Sequence, residues 1–206
     1  MRPKPIEINR LIETGRLSNL SPIALISEKL GIRWLMIFDE YIYGPTPGIV
    51  EALDLLLTKL RPRTVLDLFA GSGALSKLAL LRGVKHVRCV EKYAEALKLN
   101  LGGLRRVEVI EGDAMDFLGE GKYDMVVIDP PEELIDPLLK RVDEIREMFK
   151  LAALLWLGSW RDAGPRIKSL KGKRMTSVIE AWGDALAILW KRSCREKIKI
   201  VERALR

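Results

Sequence analysis

Thr64–Ser76 reads TVLDLFAGSGALS. Its first half is a short apolar run with β-branched members, and its second half is a glycine-rich turn that opens onto helix-forming residues. A short apolar run closed by glycines predicts a strand buried on both faces of a parallel sheet. Gly71 and Gly73 fall at the strand-to-helix turn. Glycine there permits positive φ and lets the backbone approach a ligand closely. The helix that follows aims its free N–H groups at the same place.

Outward from this stretch the chain alternates. Strands are expected at Thr64–Phe69, His86–Glu91, Val107–Glu111, Asp124–Asp129 and Ala152–Leu157. Between them, helices are expected over Ala74–Arg82, Ala94–Leu101, Asp113–Leu118 and Glu132–Phe149, with Pro131 as the first helical residue of the last. Arg174–Trp182 and Ala185–Lys191 flank Gly183-Asp184 and read as a hairpin. The fold class is therefore α/β, a doubly wound, mostly parallel seven-stranded sheet with a C-terminal antiparallel hairpin. Glu196–Arg206 is a basic tail with helical character.

Residues 1–45 read as an N-terminal extension that covers the sheet or recognises substrate, and residues 46–206 as the ligand-binding domain. Ser21-Pro22 starts a helix that Gly31 ends, and Trp34–Tyr43 holds one or two strands. Thr46-Pro47 starts a helix to Leu60, and Pro62 marks its exit.

Composition excludes several chemistries. The 206 residues include two Cys, Cys89 and Cys194, and one His, His86. That leaves no disulfide scaffold, no zinc cluster and no iron–sulfur centre. A Ser-His-Asp hydrolase would depend on His86, which reads as a strand-edge surface residue. The longest apolar runs, such as Leu151–Leu157, fall far short of the ~20 residues that cross a bilayer. No apolar signal core stands at the N-terminus. A cytoplasmic protein with no membrane and no metal is the expectation. Gln is absent and Asn occurs three times, a scarcity of thermolabile residues that fits a thermophile.

The net charge of +7 is unevenly placed. Residues 1–63 carry nine Lys/Arg against seven Asp/Glu, residues 64–160 carry thirteen against sixteen, and residues 161–206 carry thirteen against five. The last segment alone holds a net +8. Segregation of this kind points to a basic face that meets phosphates.

Acids close the strands. Asp67 lies in the first, Glu91 ends the second, Asp113 follows the third and Asp129 ends the fourth. A carboxylate ending the second strand can accept both hydroxyls of a ribose, and a side chain after the third can reach an adenine amino group. Asp129-Pro130-Pro131 is rigid and poor in donors, so the Asp side chain and the Pro130 carbonyl can grip a flat amine by accepting its hydrogens. The same stretch also suits a stiff turn into a helix, with Glu132 and Glu133 in its first turn.

VLDLFAGSGALS, VEKYAEA, EGDAMDF and VIDPP, in this order and spacing, resemble the motifs of Rossmann-fold (class I) S-adenosylmethionine-dependent methyltransferases over about residues 43–190. The resemblance implies a Rossmann-like methyltransferase fold with S-adenosylmethionine as cofactor. It assigns Asp67, Gly71 and Gly73 to the methionine end, Glu91 to the ribose, and Asp113 and Ala114 to adenine, with Phe69, Ala70, Lys92 and Asp129 as further cofactor-binding residues. Gly44-Pro45-Thr46-Pro47 is similar to the element that closes over the cofactor in amino-group methyltransferases, which adds Thr46, with Tyr43 as a further member. Asp129, Pro130 and Pro131 resemble the catalytic motif of enzymes that methylate exocyclic amines of bases, and the chain order is most similar to small Asp-Pro-Pro enzymes acting on guanine of ribosomal RNA. The partner so implied is RNA, ribosomal or transfer, held by the basic C-terminal segment.

One position departs from that motif: Glu132 stands where an aromatic residue stacks on the target base. Trp156, Trp160, Tyr41 and Tyr43 are aromatic residues that could stack from elsewhere. Three readings remain open: an RNA base methyltransferase, a methyltransferase for a small molecule or protein side chain, and a non-catalytic cofactor- or RNA-binding member. Gly71-Ser-Gly73-Ala-Leu-Ser lacks the third glycine of the nicotinamide fingerprint.

Overall fold

The computed structural model describes residues 44–205 and the backbone of two short strands, β1 (Ile6–Glu7) and β2 (Leu35–Met36), which pair antiparallel. Leu35–Met36 falls inside the expected Trp34–Tyr43 strand region. The helix expected from Ser21-Pro22 to Gly31, together with Tyr41 and Tyr43, lies outside the described residues.

α1 (Pro47–Leu60) opens with Thr46 at its N-cap position and Pro at its first residue, where a missing N–H costs nothing. Its buried residues include Ile49, Val50, Leu53, Leu56, Leu57 and Leu60, one stripe at helical spacing. Arg61 ends it in the left-handed conformation (φ 52°). β3 (Thr64–Leu68), α2 (Ala74–Leu81), β4 (His86–Glu91), α3 (Glu95–Leu101) and β5 (Val107–Glu111) then build one half of the sheet. After a 3₁₀ turn at Ala114–Phe117 come β6 (Tyr123–Ile128), α4 (Glu132–Lys140), α5 (Val142–Met148) and β7 (Phe149–Ser159). α6 (Gly164–Leu170), β8 (Thr176–Ala181), β9 (Asp184–Trp190) and α7 (Arg195–Leu205) complete the chain.

The seven strands run in the order β5-β4-β3-β6-β7-β9-β8. β3 pairs in parallel with β4 on one side and β6 on the other, and β9 pairs antiparallel with both β7 and β8. The chain moves outward from β3 to β5 and then returns to place β6 on β3's other flank. That reversal opens a crevice beyond the carboxyl ends of β3 and β6, where open α/β sheets take ligands. The expected architecture is the observed one. Apolar layers on both faces bury β3: Val65 packs with the helices of one face, and Leu66 and Leu68 with those of the other.

Four local expectations need correction. Glu132–Phe149 is two helices and the start of a strand, not one helix. Arg141 leaves helical geometry (φ −104°, ψ 21°), its amide bonds the Leu138 carbonyl three residues back, and its guanidinium is held by Glu144 and the Met115 carbonyl. The hairpin turn is Trp182-Gly183, with Ala181 opposite Asp184; both turn residues have positive φ, 56° and 83°, as a two-residue turn that continues the strand twist requires. Asp184 thereby becomes the first residue of β9. Pro131 is the N-cap of α4 rather than its first helical residue.

Leu78 of α2 is fully buried and Leu99 of α3 is largely exposed. Leu78→Ala should lower unfolding free energy by about 3 kcal/mol, while Leu99→Ala should change it by less than ~0.5 kcal/mol; chemical denaturation of the two variants checks the pair.

Candidate active site

The β3–α2 loop leaves the sheet in left-handed geometry: Phe69, Gly71 and Gly73 have φ of 61°, 54° and 88°. A side chain on Gly73 would also bring its Cβ to 2.6 Å from Leu101 Cδ1, so glycine there lets α2 pack on α3. Neighbours fix the loop. The Ala70 amide donates to the Val90 carbonyl (3.0 Å), and the Asn100 side chain donates to the Ser72 carbonyl (2.8 Å). Glu91 accepts the amides of Gly71 (2.9 Å) and Tyr93 (3.0 Å), one on each carboxylate oxygen.

Asp67 is 1% exposed. Its Oδ2 accepts the Ser76 hydroxyl of α2 (2.6 Å), which also lies 3.0 Å from Cys89 Sγ. Its Oδ1 is buried without a hydrogen-bond partner. Burial pushes the Asp67 carboxyl up to about 7, against the lowering bonds from Ser76 and with a smaller push from the charge of Glu91. Asp129, at the end of β6, lies half-buried on the crevice floor, and its neighbour Pro130 is buried. Desolvation, then the charges of Asp67 and Asp184, hold Asp129 at about 7. Cys89 is pushed to about 12, first by burial and then by the charge of Asp67, which removes it as a nucleophile near neutral pH.

Asp184 is a member of this cluster that the sequence reading missed. It is 6% exposed, and its carboxyl is raised chiefly by burial. Oδ2 accepts the Gly48 amide of α1 (3.0 Å), and Oδ1 accepts the Trp156 indole N–H of β7 (3.1 Å). A Cβ on Gly48 would stand 2.4 Å from Asp184 Oδ2 and 2.3 Å from the Ala181 carbonyl, so this contact requires glycine. Asp184 caps α1 from across the sheet and holds Thr46-Pro47-Gly48 at the crevice. The only sequence signal was an Asp opening the otherwise apolar run DALAILW.

The remaining expected site residues divide. Ala70 and Ala114 are buried, and Thr46 is half-buried at the head of α1, its hydroxyl oxygen shielded from solvent. Asp113 caps the 3₁₀ turn by accepting the Met115 amide (3.0 Å), which leaves its other carboxylate oxygen for a ligand. Lys92 and Pro131 are exposed, and the Lys92 ammonium stands over the Tyr93 ring, 6.0 Å from its centre. Glu132 meets Arg166 of α6 (3.5 Å), a guanidinium that also binds Asp136 (3.1 Å) and the Leu157 carbonyl (3.0 Å). No group of His, Cys, Asp or Glu among the described residues is arranged to hold a metal ion, and no described helix is long and apolar enough to cross a membrane.

Asp67 and Asp184, both buried, thus act electrostatically on the half-buried Asp129, and Asp67 and Asp129 have pKa values near 7. The arrangement suits a ligand that brings positive charge or N–H donors.

Known structures carry the same architecture. The Escherichia coli protein yhhF, named as a methyltransferase, superposes with a TM-score of 0.58 at 21% identity, covering 78% of this chain and 94% of that one. The ribosomal protein L11 methylase of Lactobacillus delbrueckii subsp. bulgaricus gives 0.59 at 17% identity, over 78% and 87%. Precorrin-6y C5,15-methyltransferase of Geobacter metallireducens gives 0.54 at 18% identity, over 76% and 94%. At such identities the likeness is one of fold, and the fold is that of the Rossmann-like methyltransferases. Residues 24–158 match the family described as Conserved hypothetical protein 95, and the chain belongs to that family. No curated protein matches the sequence.

The raised carboxylates set a pH dependence. Unfolded Asp titrates near 4, whereas Asp67 and Asp129 titrate at about 7 in the folded chain. The folded chain therefore binds more protons between these values. The contribution of the two groups to stability is complete below about pH 4 and is lost as pH rises through about 7. Thermal unfolding of the ligand-free protein from pH 5 to pH 8 should show this decline, and Asp129→Asn should flatten it.

Proposed function

We propose that this protein is an S-adenosylmethionine-dependent methyltransferase that methylates an exocyclic amine of a base in RNA. The observation that carries the reading is the meeting of Asp67 and Asp129, each with a pKa of about 7, beside a glycine loop braced by Glu91 at the sheet's reversal point. The crevice fits the cofactor on its own terms: the unpartnered Asp67 Oδ1 can take a donor or a positive charge. When bound, the cofactor supplies a methyl group already activated on a sulfonium.

In this reading residues 46–206 form the cofactor-binding unit, and residues 1–45 cover it or contact substrate. Asp67 and the 69–73 loop hold the methionine end, Glu91 the ribose, and Asp113 with Ala114 the adenine, with Thr46 at the rim and Lys92 outside the ribose. Asp129 Oδ and the Pro130 carbonyl accept the hydrogens of the target amine, which aims its lone pair at the methyl group. Pro131 stiffens the turn. A carboxylate with a pKa of about 7 is also matched to take the proton that the amine releases on methylation. RNA is supported by the net +8 of residues 161–206, placed against a slightly acidic core.

One observation favours a second reading, a small-molecule or protein substrate: the residue after the two prolines is Glu132, engaged by Arg166 rather than presenting a ring.

RNA from cells lacking the gene should accept tritiated methyl groups from labelled S-adenosylmethionine when the purified protein is added, and Asp129→Ala should cut the rate roughly 100-fold. RNA that never takes label sinks the RNA reading. A calorimetric titration with S-adenosylhomocysteine that releases no heat of binding sinks the cofactor.

A further inference from the structure

β7 ends at Ser159, β8 ends at Ala181 and β9 begins at Asp184, so Trp160 and the Trp182-Gly183 turn stand at the crevice end of the sheet. The Trp160 amide donates to the Gly183 carbonyl (2.7 Å), which joins the two tips. Between them lies a cleft of about 490 Å³ lined by Trp160, Val178, Ile179, Glu180, Trp182 and Leu205. That volume lies within the range of small-ligand sites, about 300–1,000 Å³.

The two tryptophans are unusually open for their size. Trp160 is 37% exposed and Trp182 is 56% exposed. The Trp182 indole N–H donates to the Glu51 carboxylate of α1, so the ring is anchored by its edge while more than half of its surface stays open. Anchored, exposed aromatic faces at a cleft are stacking platforms for bases.

The surroundings favour a nucleic-acid strand. Arg161 is exposed next to Trp160. It belongs to the segment with net charge +8. Glu180 is the one acidic residue in the lining. It repels phosphate but accepts the amino hydrogens of a base, which orients a strand with bases inward and phosphates outward, toward Arg161.

The cleft opens at the same end of the sheet as the crevice. β8, which lines it, stands three strands from β6, a separation of about 14 Å. A single strand lying along this end of the sheet can reach both, with a nucleotide or so between them.

We propose that the Trp160–Trp182 cleft stacks an unpaired nucleobase of the substrate RNA, in the same strand as the target nucleotide. This rests on the reading of the protein as an RNA methyltransferase.

The test titrates the full chain with a short mixed-sequence single-stranded oligoribonucleotide, following tryptophan fluorescence and anisotropy. Binding should quench the fluorescence. Trp160→Ala and Trp182→Ala should each weaken binding about tenfold. The salt dependence of binding should stay unchanged, because phosphate contacts set it. S-adenosylhomocysteine affinity should also hold, which verifies that the variants fold. Trp182→Phe should recover most of the affinity. The proposal is overturned if the wild-type chain is not quenched, if both alanine variants bind RNA as wild type does, or if an abasic oligonucleotide binds and quenches equally. It is overturned too if the alanine variants only turn a dimer into a monomer. Tryptophan-dependent RNA binding without methyl transfer would defeat the enzymatic reading and leave the cleft standing. Transfer to RNA that ignores both tryptophans would do the reverse.

Discussion

The crevice depends on how one buried carboxylate is accommodated. Asp67 sits in β3, an interior strand where both faces are apolar and both edges are paired, and the Ser76 hydroxyl is the side-chain donor that reaches it. That bond spans the β3–α2 loop and ties the strand to the helix, so the loop between them must close within a few residues. It does so through left-handed geometry at Phe69, Gly71 and Gly73. Such geometry at a non-glycine residue persists only when the surroundings enforce it. Here the Val90 carbonyl, Glu91 and Asn100 do so from β4 and α3. Asp67 Oδ1 is left buried without a donor, which makes it the atom that the proposed cofactor reading has to satisfy.

Asp184 solves a second problem of the same kind. α1 precedes the sheet in sequence but must end up beside its far half. A single carboxylate, 136 residues distant, caps its N-terminus and takes the indole N–H of β7. Three structural parts of the crevice rim therefore share one anion. Because Asp184 also raises the pKa of Asp129, the anchoring of α1 and the protonation of the proposed catalytic acid are coupled.

The fold was legible because its signals are local. Each parallel strand is a short apolar run closed by a turn, and the four acids at strand ends mark one edge of the sheet. Helix α4–α5 was misread because apolar periodicity runs through Arg141, and nothing local says that a distant carbonyl, that of Met115, draws its side chain away. The turn was misplaced by one residue because Trp at positive φ is a poor guess from propensity. The missed site residues, Asp184, Asn100 and Arg166, share one property. Each acts through a partner at least 28 residues away, a distance that periodicity and spacing do not encode.

The charge distribution takes on a sharper meaning in three dimensions. Arg166 contributes to the net +8 of its segment, yet it is 14% exposed and spent on Glu132, Asp136 and a carbonyl. It belongs to the scaffold of the Asp-Pro-Pro turn and is not available to phosphate. The same ion pair offsets part of the negative charge at the mouth of a site proposed for a polyanion, since Arg166 is shared between Glu132 and Asp136. The exposed cations of the segment, such as Arg161, Lys168 and Arg203, are the ones left to meet phosphate. Charge counted along a chain overstates a binding face by whatever the fold consumes internally. At this rim the part consumed is the part that holds the proposed catalytic turn in place.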